Sequence, residues 1–228
     1  MKKILSLSLA LLLCLSLAAC GGGKTPTVDV KVGVSDGGML VVPYKTVSVP
    51  DADGDGAVSI EDTLIAAHDA FYNGGAKEGF AAKDTEYGRS IVKFWGIDNG
   101  GGYGYYLNDQ FVLPDDDVHA GDELFAYSYQ DMVGWSDTYA YFTEHTASAA
   151  AGEEVELQLM MLVYDENWNL GAKPCEGAFL MIDGAAAEVF TDAEGFVTVS
   201  FDEPGEHVVS ALHNQMVLVP AVCNVTVK

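Results

Sequence analysis

Asp51-Ala-Asp53-Gly-Asp55-Gly56-Ala57-Val58-Ser59-Ile60-Glu61-Asp62 sets carboxylates at positions one, three, five and twelve of a twelve-residue run. Oxygen donors at that spacing suit a hard divalent cation, which takes six or more of them. Gly56 stands sixth, where the chain has to turn sharply and only glycine does so without strain. Ala57, seventh, would lend its backbone carbonyl, and Ser59, ninth, would bind directly or through a water. Val58 and Ile60 point away and anchor the run to a core. The expected ion is Ca2+, held by Asp51, Asp53, Asp55, Ala57, Ser59 and Asp62. Two plainer alternatives stay open: a calcium that only staples a turn, and an acidic turn with no metal.

No other constellation promises chemistry. His68, His119, His145, His207 and His213 fall on separate segments. None shows an evident carboxylate orienter, and no serine sits in a nucleophile-elbow context. His68 reads as a satisfied histidine at the edge of a core. The run Asn99-Gly-Gly-Gly-Tyr103-Gly104 has no following helix and no Lys-Ser/Thr, so it reads as a hairpin loop and not as a phosphate cradle. The chain is therefore expected not to be an enzyme. Aromatic residues crowd between Trp95 and Phe142. Most belong to packing, while Tyr103 and Trp135, on expected loops, are the candidates for an exposed ligand surface.

The elements that must position the acidic run follow from periodicity. Val28-Asp-Val30-Lys-Val32-Gly-Val34 alternates with period two, Ser35-Asp-Gly-Gly38 turns, and Met39 to Tyr44 returns. Lys45 to Pro50 then leads in as a strand closed by proline, so no helix enters the loop. After it, Ile60, Leu64, Ala67 and Phe71 recur on one helical face, and Asn73-Gly74-Gly75 stops that helix. Ser90–Ile97, Gly104–Val112 and Glu123–Tyr129 read as strands. In that last part of the unit Tyr127 and Tyr129 share one strand face, and Tyr139 and Tyr141 share one face of another. Hairpin, crossing helix and further strands pack as an α+β roll over residues 28–143. Residues 144–228 read as all-β, with strands at 154–159, 178–182, 196–201, 207–211 and 222–227. About 85 residues suits one sandwich.

Several resemblances accompany these readings. A loop followed by a helix, with Asp at position twelve, resembles the calcium repeats of dockerin modules; those carry two copies, and one stands here. Tyr87-Gly88, Phe94-Trp95-Gly96-Ile97, Gly104-Tyr-Tyr-Leu-Asn108-Asp109 and Ala120-Gly-Asp-Glu-Leu124 together resemble the transcobalamin C-terminal-like domain of bacterial surface proteins. That resemblance implies a β-grasp fold over about half the mature chain. Thr191-Asp-Ala-Glu-Gly-Phe-Val-Thr-Val199 and Pro204-Gly-Glu-His-Val208 resemble strand starts of bacterial Ig-like repeats, which implies an Ig-like sandwich. The expected fold is thus a β-grasp-like roll with one main helix, followed by an Ig-like β-sandwich.

Met1-Lys2-Lys3 and the apolar run to Ala19 read as a signal peptide, too short to span a bilayer comfortably. Leu17-Ala-Ala-Cys20 resembles the lipobox of bacterial lipoproteins. It implies cleavage after residue 19, a diacylglyceryl group on Cys20, a polar linker over 20–27 and an extracytoplasmic, membrane-anchored protein. Cys14 then leaves with the signal, so Cys175 and Cys223 are the one pair available for a disulfide in an oxidising compartment.

The net charge of −23 repels nucleic acid and anionic headgroups. Hydrophobic content near half argues against disorder. The expected role is calcium-dependent binding or adhesion to a glycan or protein. The alternatives are capture of a corrinoid or other small solute, which the transcobalamin resemblance implies, and a structural spacer in an envelope complex.

Overall fold

Val30, Val32 and Val34 face the same side of β1 (Thr27–Asp36) and are fully buried, which puts that strand at the centre of a sheet. It pairs antiparallel with β2 (Met39–Pro50) across the expected turn and parallel with β7 (Glu123–Ser128). Strand β5 (Tyr103–Leu107) adds to β7, and β6 (Gln110–Phe111) closes the order β2-β1-β7-β5-β6. The computed structural model describes residues 27–228. The expected signal segment, the lipid-bearing Cys20 and the linker up to residue 26 lie outside them.

Helix α1 (Ile60–Phe71) crosses one face of this sheet. Ile60, Leu64 and Ala67 pack on the valines of β1 and β2. Phe71, expected on the same face, is 39 % exposed, and His68 takes the buried place instead. A short helix α2 (Gly75–Gly79) and a separate two-stranded ribbon, β3 (Ala81–Thr85) with β4 (Gly88–Lys93), follow. The strand expected over 104–112 is two, because Asn108 and Asp109 both adopt positive φ and reverse the chain. The Asn99–Gly104 run is not a hairpin: β4 and β5 belong to different sheets.

From β8 (Thr138–Phe142) onward the chain is a two-sheet β-sandwich. One sheet holds β11 (Leu170–Pro174), β10 (Glu154–Tyr164), β8 and β16 (Leu218–Val219), with β14 (Phe196–Ser200) also on β10. The other runs β13 (Ala185–Phe190), β12 (Phe179–Ile182), β15 (Gly205–Leu212), β17 (Ala221–Val227), β9 (Thr146–Ala149). Leu157, Leu159, Phe142, Leu180, Val209 and Val225 fill the space between. Strand β8 was expected to end the first unit, yet it pairs with β10 and β16, so the chain changes unit before it.

The two units meet through a third apolar cluster. Phe125 and Tyr127 of β7 and Tyr44 of β2 face away from α1, and Tyr139, Val219 and Val222 face away from the sandwich core. Tyr106 stacks flat on Tyr139, with ring centroids 3.7 Å apart. Gly104 leaves room for the Tyr127 ring of the same cluster, which a Cβ there would strike. His145 sits at the edge of the cluster, stacked on Tyr44 at 4.8 Å. Its Nδ1 contacts the Glu123 carboxylate and its Nε2 lies 3.4 Å from Asp109 Oδ1. Lys31 Nζ adds a 2.6 Å contact to Glu123, and Tyr139 donates its hydroxyl to Asp109 at 2.8 Å.

Burial alone would lower the His145 pKa, but the Asp109 and Glu123 carboxylates outweigh it and raise it to about 9. The imidazole–Glu123 hydrogen bond in turn holds that carboxyl at about 2.

Cys175 and Cys223, the pair available for a disulfide, are unbridged here. Both are fully buried in the sandwich core, and both are free thiols. Burial pushes them up to about 11 and about 12, so neither supplies the thiolate that disulfide exchange needs.

Two outcomes are expected. His145, raised in the folded state above its ordinary value of 6.5, stabilises fully below pH 6.5, and that contribution is lost as pH rises through about 9. The melting temperature should fall across that window, and His145→Gln should flatten the slope and cost about 1–3 kcal/mol at neutral pH. Cys175 and Cys223 should resist a thiol reagent in native buffer and react in denaturant, as counted by mass spectrometry.

Candidate metal centre

Pro50 ends β2, and the chain then turns on its own aspartates. Asp51 Oδ1 accepts the Gly54 N–H at 2.6 Å and Oδ2 accepts that of Gly56 at 3.0 Å. Asp53 accepts from Asp55 N at 3.1 Å, and Asp55 from Ala57 N at 2.8 Å. Gly54 and Gly56 both take positive φ, 79° and 101°, which Gly56 was expected to supply. These contacts fold the run into a cup with carboxylate oxygens of Asp51, Asp53 and Asp55 all within 4.8 Å of one another.

The other end of the run is tied to α1. Ser59 is its N-cap and accepts the Asp62 N–H at 3.1 Å, while Asp62 Oδ2 accepts the Ser59 N–H at 2.9 Å. This reciprocal pair satisfies two backbone donors that a helix start leaves open. Ile60 N and Glu61 N are satisfied by the carbonyls of Asp116 and Pro114. Asp62 Oδ1 reaches back to accept the Ala52 N–H at 3.2 Å, closing the run on itself. Ser59 and Asp62 are therefore near the cup but committed to the cap, and Asp62 is not one of the three carboxylates that converge.

No lysine or arginine pairs with Asp51, Asp53, Asp55 or Asp62 among the described residues. Asp53 accepts a backbone bond from Asp55 that favours its charge, yet desolvation and the neighbouring charges of Asp55 and Asp62 win, and its pKa is raised. Three convergent hard oxygens with uncompensated charge suit a divalent cation of the calcium class, while the expected ligands Ser59 and Asp62 are engaged in the cap. A cation held there would neutralise the cup.

Glu61, next to Asp62, forks onto Arg89 of the β3–β4 ribbon, with contacts of 2.6 and 2.7 Å; Arg89 also reaches Asp84 at 3.1 Å. Sequence reasoning missed this pair, because Arg89 and Glu61 lie on separate elements with nothing local to link them.

The other expected site residues divide. Tyr103 is corrected: it lies on β5, is 9 % exposed, and donates its hydroxyl to Ile97 O at 2.7 Å, anchoring the glycine-rich loop from inside. Trp135 stands in a loop and is 54 % exposed. His68 is fully buried; Nδ1 meets Leu64 O at 2.6 Å and Nε2 accepts the Trp95 N–H at 2.9 Å. Burial lowers its pKa, and it serves as a neutral strut. His145 and His207 do have carboxylates beside them in space, Glu123 and Asp183. No serine, threonine or cysteine side chain is bonded to either ring among the described residues.

No protein-family model matches the chain, and no curated protein matches it. Solved structures similar to it include the fibronectin(III)-like modules of Clostridium thermocellum CbhA, at 11 % identity over 55 % of this chain and 77 % of that one, TM-score 0.29. The Ig1-2 module of the Drosophila receptor protein tyrosine phosphatase DLAR shares 13 % identity over 90 % and 96 %, TM-score 0.28. The D0-D1 domain of intimin shares 12 % over 89 % and 98 %, TM-score 0.27. At these scores the likeness carries no weight for function, which rests on this chain's own geometry.

In chelator, Asp62→Ala should cost about 1 kcal/mol through the lost cap. Asp53→Ala should cost nothing there or stabilise, since it relieves repulsion. Paired thermal melts separate the two.

Proposed function

We propose that this chain is a lipid-anchored, calcium-binding surface protein that acts as a binding or adhesion module and performs no chemistry of its own. The convergence of Asp51, Asp53 and Asp55 within 4.8 Å carries the calcium reading. The first unit is read as β-grasp-like: its sheet has the first and last strands parallel at the centre and one helix across a face. The second is read as Ig-like, from two stacked sheets with β10 and β17 facing one core. In this reading the first unit of the expected ranges 28–143 and 144–228 ends earlier, before β8, which pairs with strands of the second. Anchoring through Cys20 rests on the sequence at the start of the chain.

In this role calcium is structural. It fixes where β2 ends and α1 begins, and through Glu61–Arg89 it steadies the β3–β4 ribbon, so the unit presents one surface to a glycan or protein partner.

The test is a thermal melt in millimolar calcium and in chelator. A ligand that binds the folded state alone adds about 2.7 kcal/mol at a hundred times its dissociation constant, which is several degrees for a chain of this size. A calcium-dependent rise that Asp55→Ala abolishes is expected. Equal melts in calcium and chelator would reduce the run to an acidic turn. A calcium-stabilised protein that retains no glycan or protein partner would instead be a spacer.

A further inference from the structure

Two loops, one on each unit, hold a tryptophan in the same way. In the loop after β7, Trp135 N donates to Asp131 O at 3.1 Å, and Asp131 Oδ1 accepts the N–H groups of Val133 and Gly134 at 3.1 and 2.8 Å. In the β10–β11 turn, Trp168 N donates to Asp165 O at 3.0 Å, and Asp165 Oδ1 accepts those of Asn167 and Asn169, both at 2.8 Å. Both tryptophans have positive φ, 52° and 63°. A bulky side chain in that region is an outlier that persists only where its surroundings over-determine it. Here the aspartate clamps do so, and the result is to expose the rings: Trp135 is 54 % and Trp168 82 % accessible. Each ring leans on a tyrosine, Trp135 on Tyr129 at 5.2 Å and Trp168 on Tyr164 at 6.0 Å.

The two loops leave the same end of one strand pair. Strands β8 and β10 pair antiparallel with Met160 opposite Tyr141 and Met161 opposite Ala140. Antiparallel pairing brings the start of β8, which the Trp135 loop enters, and the end of β10, which the Trp168 turn leaves, to the same end of the pair. Asp137 is bonded to the backbone of Gln130 and Asp131, so the Trp135 loop is fixed at this end of the pair. Both rings are exposed at that end.

We propose that Trp135 and Trp168 form a two-plate binding surface for an uncharged polysaccharide, an assignment that rests on the reading of this chain as a binding module and names its ligand class. An indole face offers a flat apolar plate to the C–H face of a sugar ring. The clamping residues beside each plate, Asp131 and Asp165 with Asn167 and Asn169, offer hydroxyl partners. Two fixed plates on separate loops suit a polymer that repeats its sugar rings, because the second contact becomes intramolecular once the first has formed. The net charge of −23 disfavours anionic polymers such as uronates and nucleic acid.

The test is affinity gel electrophoresis of the full chain in gels containing mixed-linkage β-glucan, galactomannan or soluble starch. Retardation in at least one neutral gel is expected, with a shift in indole fluorescence. Trp135→Ala and Trp168→Ala should each weaken it at least tenfold, the double variant should run unretarded, and Trp168→Phe should keep part of the affinity. Both sites are exposed, so unchanged melting temperatures certify folding. Unretarded wild-type chain in all three gels, or equal retardation of the double variant, would overturn the assignment. So would binding to polylysine, with no neutral gel retarding, that the double variant loses, since that marks a cationic partner. The calcium melt on the same samples reports separately: a calcium shift without retardation removes this surface and leaves the metal reading standing.

Discussion

Phe125, Tyr127 and Tyr44 stand on one face of the first sheet, and Tyr139 stands on the outer face of a sandwich sheet. Apart, each unit would expose a contiguous aromatic patch to water, so docking is driven by the area removed from solvent. This constraint explains strand β7, Glu-Leu-Phe-Ala-Tyr-Ser, whose residues are almost all buried: Leu124 and Ala126 face the helix, Phe125 and Tyr127 the other unit. A sheet covered on both faces reads as a continuous apolar run and loses its alternation. It also explains Gly104, where a side chain would push the tyrosines apart.

The charged edge of the junction has a different job. His145 between Asp109 and Glu123, with Lys31 beyond, offsets its own burial by its two carboxylates. Its geometry is directional, however, where apolar contact is not. The carboxylates admit one orientation of the sandwich on the sheet, and Asn224 repeats the constraint by donating to the carbonyls of Pro43 and Tyr44. Apolar rings hold the units together, and polar groups choose how they sit.

The acidic loop and the tryptophan loops use aspartate alike, as an acceptor for backbone N–H groups of its own turn. At 51–62 the turn gathers three charges, which a cation can compensate. At 131 and 165 one carboxylate per loop is consumed in holding a ring outward. The same local chemistry thus yields a metal cup in one place and an exposed plate in two others, according to how many carboxylates converge.

Local order was legible in the sequence. The period-two valines of β1, the stop at Gly74 and the glycine at position six are governed by neighbours a few residues away, and the chain folds there as they dictate. Tyr103 and Trp135 could not be told apart, since both looked like loop aromatics and only pairing with β7 turned one inward. Strands β9, β11, β13 and β16 carry weak patterns and exist because a partner strand is present. The assignment of β8 to the sandwich, the Glu61–Arg89 fork, the seat of His145 and the placing of the Trp135 and Trp168 loops at one end of the β8–β10 pair all join residues far apart in the chain. Backbone propensity and spacing act over a few residues, whereas packing selects contacts by shape and charge across the whole molecule. The sequence by itself therefore determined the loop and the helix it starts; the tertiary structure decided which faces meet and which rings remain in water.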